Sequence, residues 1–208
     1  MSVSQTKKDT SVKIDQVEMK TFKIDIMKHS AFTDGGAHPN NKSDKSVAGY
    51  ASVFVSGPLQ DTRIYGNLCN KEHNASNIRA EGMALIRTLE LVNKSKEAWS
   101  EFDIITDCKF WVDMLEQYMP KWSSAKFKSQ SNPDLTMRLW RIWNIVGKKG
   151  TVRILHMNSH GKSGWHKYPD GSYEKYCYEQ NDYVDKLCNY ARLDMDRGEE
   201  IIDMIEYE

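Results

Sequence analysis

The chain has 208 residues, of which 39% are hydrophobic, and its 29 basic side chains balance its 29 acidic ones. This length and composition suit one domain with tails or an insertion. No run of about 18 apolar residues occurs, and residues 1–15 are polar, so we expect neither a transmembrane helix nor a secretory signal. The four cysteines lack zinc-type spacing, which favours reduced thiols in an intracellular protein, in the cytoplasm or the nucleus.

Charge is distributed unevenly along the chain. Residues 194–208 hold seven acids and one arginine, which leaves a net charge of −6 in this tail and +6 in the remainder. A moderately basic body is compatible with a nucleic-acid partner but does not require one. We expect a flexible N-terminal arm at 1–20, a domain at 21–193, and an acidic C-terminal tail at 194–208 that either extends the last helix or hangs free.

The first half of the chain predicts a three-stranded antiparallel meander. Loose alternation predicts a first strand over residues 22–33 that ends at Asp34. Gly35-Gly36 and residues 39–41 then predict a turn. The second and third strands are predicted at 49–55 and 62–68.

Helices and strands alternate in the second half. Apolar spacing predicts a helix over 77–93, capped by Ser76 or Asn77. It is followed by a buried strand that ends at Asp107, helices at 108–118 and about 133–146, and a strand at 151–157, with a basic, aromatic loop at 121–128. This order predicts an α/β fold with a five-stranded mixed sheet, three antiparallel strands plus two parallel, and helices on both faces.

Residues 158–180 form the least regular part of the chain. Pro169-Asp170-Gly171, flanked by tyrosines, predicts a hairpin turn. The last helix is predicted to begin near Glu179. The mixture of lysines and aromatic residues suits nucleic-acid contact, but it equally suits a structural hairpin whose tyrosines pack on the body.

Two apolar runs end in the same dipeptide, Thr33-Asp34 and Thr106-Asp107. If the two strands lie side by side, both carboxylates meet at the sheet edge where α/β proteins bind their ligands. Crowded carboxylates repel each other unless a cation lies between them. Mg²⁺ is the economical choice, because it prefers oxygen ligands.

Five motifs occur in a fixed order along the chain. They are Thr33-Asp34-Gly35-Gly36, Asn77-Ile78-Arg79-Ala80-Glu81, Thr106-Asp107, His160-Gly161-Lys162 and Asn181-Asp182-Tyr183-Val184-Asp185-Lys186-Leu187. No single motif is specific, but their order is, and over about residues 26–193 it resembles type 1 ribonuclease H.

The resemblance implies a catalytic site for two Mg²⁺ ions, with Mn²⁺ as a possible substitute. Two ions roughly 4 Å apart can promote hydrolysis of a phosphodiester without a protein nucleophile. On residues alone, Glu81 could instead be a solvated acid near the start of its helix. The residues implied to hold the ions are Asp34, Gly35, Glu81, Asp107 and Asp185.

The fourth acid is open between Asp182 and Asp185. In the family pattern, the acid comes four residues after the asparagine and two before a leucine, and Asp185 fits that pattern. His160 corresponds to a loop histidine that could relay a proton or help product release. Without the resemblance it would be read as a surface histidine.

The implied partner is an RNA–DNA hybrid duplex, which is distinguished from DNA through the ribose 2′-hydroxyl. Arg79 could instead hold the helix start, and Trp122 could simply pack beneath a solvated loop. We expect no membrane association and no obligatory protein partner. The residues implied to contact nucleic acid are Gly35, Gly36, Ser76, Asn77, Arg79, Trp122, Lys126 and Lys128.

The sequence thus predicts a metal-dependent endoribonuclease that cuts the RNA strand of hybrids. A binding module that has lost catalysis and a related nuclease with another nucleic-acid substrate are the alternatives. The presence of every candidate acid argues against the first, and Asn77, in the ribose-reading motif, argues against the second. The chain departs from the family in an insertion at about 162–180 and in a basic helical segment shortened at Pro120.

Overall fold

The computed structural model describes residues 29–38, 46–69, 75–96, 99–158, 168–196 and 204–206. Within these ranges, six strands form one sheet: β1 Ser30–His38, β2 Val47–Ser56, β3 Arg63–Cys69, β4 Glu101–Thr106, β5 Thr151–His156 and β6 Met204–Glu206. Their spatial order is β5-β4-β1-β2-β3-β6. The first three strands are antiparallel, and β4 and β5 run parallel to β1. The predicted mixed sheet is confirmed, and β6 adds a sixth strand.

The helices are α1 Asn77–Lys94, α2 Lys109–Asp113, α3 Ser124–Lys128, α4 Pro133–Val146 and α5 Tyr173–Asp196. After α2 the chain continues as a π-helical segment at Met114–Tyr118 and a 3₁₀ turn at Met119–Lys121. The predicted helix at 108–118 is therefore divided, and the predicted loop at 121–128 contains α3. Within the described ranges, none of the helices combines the length and apolar character needed to cross a membrane.

Two separate cores explain why helices cover both faces. Successive residues of a strand point to opposite faces. Ala31 and Ile104 lie in the core formed with α1 and α4. Phe32 and Ile105 lie in the core formed with α5, beside Val184. All five side chains are fully buried, so β1 and β4 are central strands covered on both sides.

The predicted end of the first strand at Asp34 is wrong. β1 continues to His38, which pairs with Val47 of β2, so Gly35 and Gly36 lie within the strand and not in a turn. A Cβ atom at Gly35 would lie 2.3 Å from the backbone of Glu81. Gly35 is thus required by the close approach of α1 to the strand, a use of glycine that a turn signal does not reveal. Residues 22–28 and 39–41 of this prediction lie outside the described residues.

The last helix begins at Tyr173, earlier than the predicted start near Glu179. Gly171 adopts a φ of +75° in the turn that precedes it. The Ser172 hydroxyl accepts a hydrogen bond from the Lys175 amide at 3.3 Å, as a helix cap does. The chain therefore leaves this turn into a helix, and the predicted hairpin is wrong.

The tyrosines of the predicted insertion pack on the body of the domain. Tyr173 and Tyr176 lie against the core under α5. Tyr178 donates a hydrogen bond from its hydroxyl to the carbonyl of Asn158 at 3.0 Å and stacks on Tyr168. For residues 168–180 these contacts favour the structural alternative over a nucleic-acid lid, and residues 162–167 lie outside the described ranges.

Candidate active site

The parallel pairing of β1 and β4 brings the two Thr-Asp pairs together. Thr33 lies opposite Thr106 in the register, so Asp34 and Asp107 follow neighbouring positions. Carboxylate oxygens of Asp34, Asp107 and Glu81 all lie within 4.8 Å of one another. The sheet and the start of α1 thus bring three acidic side chains to one point.

Glu81 reaches this point because α1 packs tightly against β1 at Gly35. The side chain is 8% exposed, so a solvated acid is not an adequate description of it. Its Oε2 atom is buried and has no hydrogen-bond partner among the described residues. An unpaired buried carboxylate oxygen is costly, and it points to a cation as the missing partner.

Burial and mutual repulsion make this site electrostatically unusual. Burial and then the nearby Asp107 carboxylate raise the pKa of Asp34 to about 7, against the lowering effect of the Gly35 amide, which donates to Asp34 Oδ1 at 2.7 Å. Burial and then Asp34 raise the pKa of Glu81 well above its ordinary value. Without a cation the site therefore holds protons near neutral pH, which a divalent ion would displace.

Helix α5 brings the fourth acid. One carboxylate oxygen of Asp185 and the sulfur of Cys188 lie within 4.8 Å of Asp34 and of each other. Asp182 is 63% exposed and pairs with Lys186 on the same helix. Of the two candidates, the structure brings Asp185 into the cluster of acids, which we name the acid cleft (Asp34, Glu81, Asp107 and Asp185).

A second close approach allows α5 to lie this near. A Cβ atom at Gly49 of β2 would lie 1.9 Å from the carbonyl oxygen of Cys188. Any larger residue at Gly49 would push α5, and Asp185 with it, away from the sheet. The sequence analysis did not identify Gly49, because its requirement arises from a helix that follows more than 120 residues later.

Arg79 is directed into the protein. It is 6% exposed and donates to both carboxylate oxygens of Asp134, at 2.5 and 3.1 Å. It also donates to Asn132 Oδ1 at 3.1 Å. These contacts join the beginnings of α1 and α4, which is the structural alternative for Arg79. Sequence reasoning missed Asp134 and Asn132, since neither belongs to a motif.

Ser76 and Asn77 organise the start of α1. Ser76 caps the helix, its hydroxyl accepting a hydrogen bond from the Arg79 amide at 3.3 Å. Asn77 Oδ1 accepts a hydrogen bond from the Ala37 amide of β1 at 2.7 Å. Asn77 therefore links the helix to the strand beyond Gly36, beside the acid cleft.

The basic loop is held by aromatic packing. Trp122 is half-buried and lies edge-on to Phe127, with ring centroids 5.1 Å apart. Phe127 in turn stacks on Trp140 of α4. Lys126 and Lys128 are exposed on α3. His160 lies outside the described residues.

The residues of the acid cleft fit a divalent cation. They offer carboxylate oxygens, the donors that Mg²⁺ prefers, and one of these, the buried Glu81 Oε2, has no hydrogen-bond partner among the described residues. Cys188 is an additional neighbour that sequence reasoning missed. Its position three residues after Asp185, on the same helix face, is the signal that could have identified it.

Comparison with known proteins identifies the family. The model of the RNase H family matches residues 27–191. A comparison with curated protein sequences finds no match. The match to the family model covers most of the chain.

Solved structures show the same fold at low identity. RNase H1 from Halobacterium salinarum has a TM-score of 0.50 and 20% identity over 80% of this chain and 98% of its own. LC11-RNase H1 in complex with an RNA/DNA hybrid has a TM-score of 0.52 and 20% identity, over 82% and 98% of the two chains.

The protease-reverse transcriptase of prototype foamy virus has a TM-score of 0.58 and 19% identity over 79% of this chain. The matched region spans 20% of that viral chain. The match to the family model shows that this chain belongs to the RNase H family.

Proposed function

We propose that the chain hydrolyses the RNA strand of RNA–DNA hybrids with two divalent ions, Mg²⁺ in the first place and Mn²⁺ as a substitute. The carrying observation is that two groups of metal-ligating atoms share Asp34, one with Glu81 and Asp107, the other with Asp185 and the sulfur of Cys188. A carboxylate that belongs to both groups, as Asp34 does, could contact two neighbouring metal ions at once. When bound, the ions would activate the attacking water and stabilise the leaving oxygen.

The chain's own contribution is to hold the four acids in place. The Gly35 amide orients Asp34 through its hydrogen bond to Oδ1. Glu81 and Asp185 approach Asp34 from opposite faces of the sheet, on α1 and α5. The Gly35 backbone lies directly beside Asp34 and is proposed to complete the metal site. Because Asp34 and Glu81 are buried, their charges would act on the ions with little screening by water.

Recognition of RNA is proposed to involve the start of α1 and the end of β1. Asn77 and the Gly35-Gly36 backbone lie next to the acid cleft, where the ribose beside the cut would sit. A 2′-hydroxyl both donates and accepts hydrogen bonds, so these groups can select it. We propose this contact for Asn77, and we assign Arg79 the structural role that its ion pair with Asp134 supports.

The DNA strand is proposed to lie along the basic loop. Lys126 and Lys128 extend from α3 into solvent and can contact phosphates. Trp122 is held between the core and the surface, where part of its ring can rest against the strand. His160 is proposed to relay a proton near the leaving group.

We place this activity inside the cell, in the cytoplasm or nucleus. The described thiols of Cys108, Cys177 and Cys188 are free, as is usual in a reducing compartment.

The decisive experiment compares Asp185→Asn with its matched control Asp182→Asn. Both acids lie on α5, but only Asp185 shares the acid cleft. Cleavage of a labelled RNA–DNA hybrid in Mg²⁺ is expected to fall by about 10²-fold or more in Asp185→Asn, and by less than about threefold in Asp182→Asn.

Substrate controls separate the alternatives. Double-stranded RNA, double-stranded DNA and an EDTA reaction should show no cleavage. Tight hybrid binding without cleavage by the parent chain would instead indicate a binding module. Cleavage of duplex DNA would indicate a nuclease with another substrate.

A further inference from the structure

We propose that Asp34, Asp185 and Cys188 form a site for a thiophilic divalent cation of the zinc class, which competes with Mg²⁺ in the acid cleft. This site rests on the proposed function only for its inhibitory effect, since binding itself requires no catalysis.

The geometry brings a sulfur atom among the carboxylates. The Sγ atom of Cys188 and carboxylate oxygens of Asp34 and Asp185 lie within 4.8 Å of one another. Small side-chain rotations bring three donors at this spacing within bonding distance of one ion, which needs about 2.3 Å to sulfur and about 2.0–2.2 Å to oxygen. The thiol donates to the Asp185 carbonyl at 3.1 Å, so sulfur and carboxylate belong to the same helical turn.

A second observation in the acid cleft concerns Glu81. Glu81 is 8% exposed and belongs to the same acid cleft through Asp34. Its Oε2 atom has no hydrogen-bond partner in the described part of the chain. This buried, unpaired oxygen indicates that the cleft is built for positive charge, whichever ion supplies it.

The donor set decides which ion gains from Cys188. Mg²⁺ takes oxygen ligands and gains nothing from sulfur. Zn²⁺ and its heavier relative Cd²⁺ accept thiolate and carboxylate together, commonly with three protein ligands and one open position. Cys188 therefore adds a preference that an all-carboxylate cleft does not have.

Occupation of this site is expected to inhibit the proposed hydrolysis. The competing ion would take Asp34 and Asp185 from Mg²⁺. The thiolate bound to the competing ion also neutralises one of its positive charges, so less positive charge remains to stabilise the leaving oxygen. Zn²⁺ is therefore expected to bind tightly and to block the reaction that Mg²⁺ supports.

The test uses Cd²⁺ as the probe, because a thiolate bound to Cd²⁺ absorbs in the ultraviolet. The unmodified 208-residue chain should develop this absorption, and excess Mg²⁺ should reduce it. Cys188→Ala should lose it, whereas the matched control Cys177→Ala should retain it. Cys177 is also buried on α5, but the metal-ligating groups found among the described residues do not include it.

A second variant guards against misfolding of Cys188→Ala, which far-ultraviolet circular dichroism would reveal. Asp185 is exposed, and Asp185→Asn is expected to weaken Cd²⁺ binding at least about tenfold while the fold stays intact. Absorption that persists in Cys188→Ala, or that disappears only in Cys108→Ala, would overturn the site.

Hydrolysis in Mg²⁺ alone distinguishes this proposal from the previous one. Cd²⁺ absorption without hydrolysis in Mg²⁺ would refute the proposed function and leave the thiophilic site standing. Hydrolysis in Mg²⁺ without Cd²⁺ absorption would support the proposed function and refute the thiophilic site. Inhibition by Zn²⁺, measured relative to the activity of each variant, should weaken at least about tenfold in Cys188→Ala.

Discussion

Two buried aspartates on adjacent strands have opposite surroundings. Asp103, near the start of β4, is 1% exposed and accepts hydrogen bonds from Arg153 at 2.7 and 3.0 Å. Asp34, on β1, is 6% exposed and has the carboxylates of Glu81 and Asp107 as neighbours. Asp103 is therefore paired with an arginine, whereas the charged side chains found beside Asp34 among the described residues are other carboxylates.

The comparison separates a carboxylate whose ion pair stabilises the fold, Asp103, from one that could bind an ion, Asp34. A buried carboxylate is tolerated when a cation pairs with it, and otherwise it retains its proton or recruits an ion. A cation is available near the acid cleft, since Arg79 lies two residues before Glu81. Its guanidinium is nevertheless directed to Asp134 and not to the acid cleft.

The largest expected effect comes from Asp34→Asn. Removal of this shared carboxylate should reduce hybrid cleavage by about 10³-fold or more, because ~4 kcal/mol of transition-state stabilisation is lost with the ions. The same variant should be more stable than the parent at pH 8 without divalent ions, since one repulsive buried charge is removed. Cleavage rates and thermal unfolding in EDTA measure the two effects.

The matched control is Asp103→Asn. This change should lower stability, because Arg153 loses its ion pair with buried Asp103 and keeps the longer contact with Glu101 at 3.4 Å. It should leave cleavage of the folded protein within about threefold. An Asp34→Asn variant that is less stable than the parent at pH 8 would contradict the contrast between the two aspartates.

Stability without divalent ions should decrease with rising pH in the acid region. The pKa of Asp34 is raised from 3.8 to about 7, so the folded state binds a proton that the unfolded state releases. This stabilisation is complete below about pH 4 and is lost as the pH approaches 7, on the order of 3 kcal/mol. Urea unfolding in EDTA across this range should show it.

Mg²⁺ should reverse that loss above pH 7, because it binds the folded state. Asp34→Asn should show a smaller decrease between pH 4 and pH 7 than the parent. An identical pH profile in the two proteins would mean that Asp34 titrates normally.

Removing the ion pair between Asp103 and Arg153 should lower the free energy of unfolding by a moderate amount. Arg153→Met leaves Asp103 buried without its ion pair to Arg153 and is expected to cost about 2 kcal/mol of unfolding free energy. This cost is smaller than that of breaking a fully buried pair, because Arg153 is 33% exposed. Chemical denaturation measures this cost. Asp103→Asn in the same chain should recover part of it, and full additivity of the two changes would argue against direct coupling.

The smallest expected effect concerns exposed cations outside the acid cleft. The double variant Lys126→Gln, Lys128→Gln should weaken hybrid binding several-fold. The slope of the logarithm of the binding constant against the logarithm of the salt concentration should fall by an amount that corresponds to roughly two phosphate contacts. Stability should change by less than about 0.5 kcal/mol, because these side chains lie in solvent. Unchanged binding at every salt concentration would place the DNA strand elsewhere.

Much of the fold could be predicted from local patterns. Alternating and helical spacing identified five strands and the long helices, and the mixed sheet that they predict is confirmed. The errors occur where local signals are ambiguous. Gly35-Gly36 was predicted to form a turn, but Gly35 is required because α1 contacts the strand there. The Pro-Asp-Gly turn was predicted to form a hairpin, but Ser172 caps a helix after it.

By itself, the sequence determined the order of motifs, the two-sided burial of the central strands and the set of candidate acids, because these depend on residue types and on spacing within single elements. The family pattern already favoured Asp185 over Asp182, but only the tertiary structure placed Asp185 and Cys188 beside Asp34 and paired Arg79 with Asp134. Each of these outcomes depends on how closely α1, α4 and α5 approach other elements. That distance is controlled by residues far apart in the chain, such as Gly49 against Cys188.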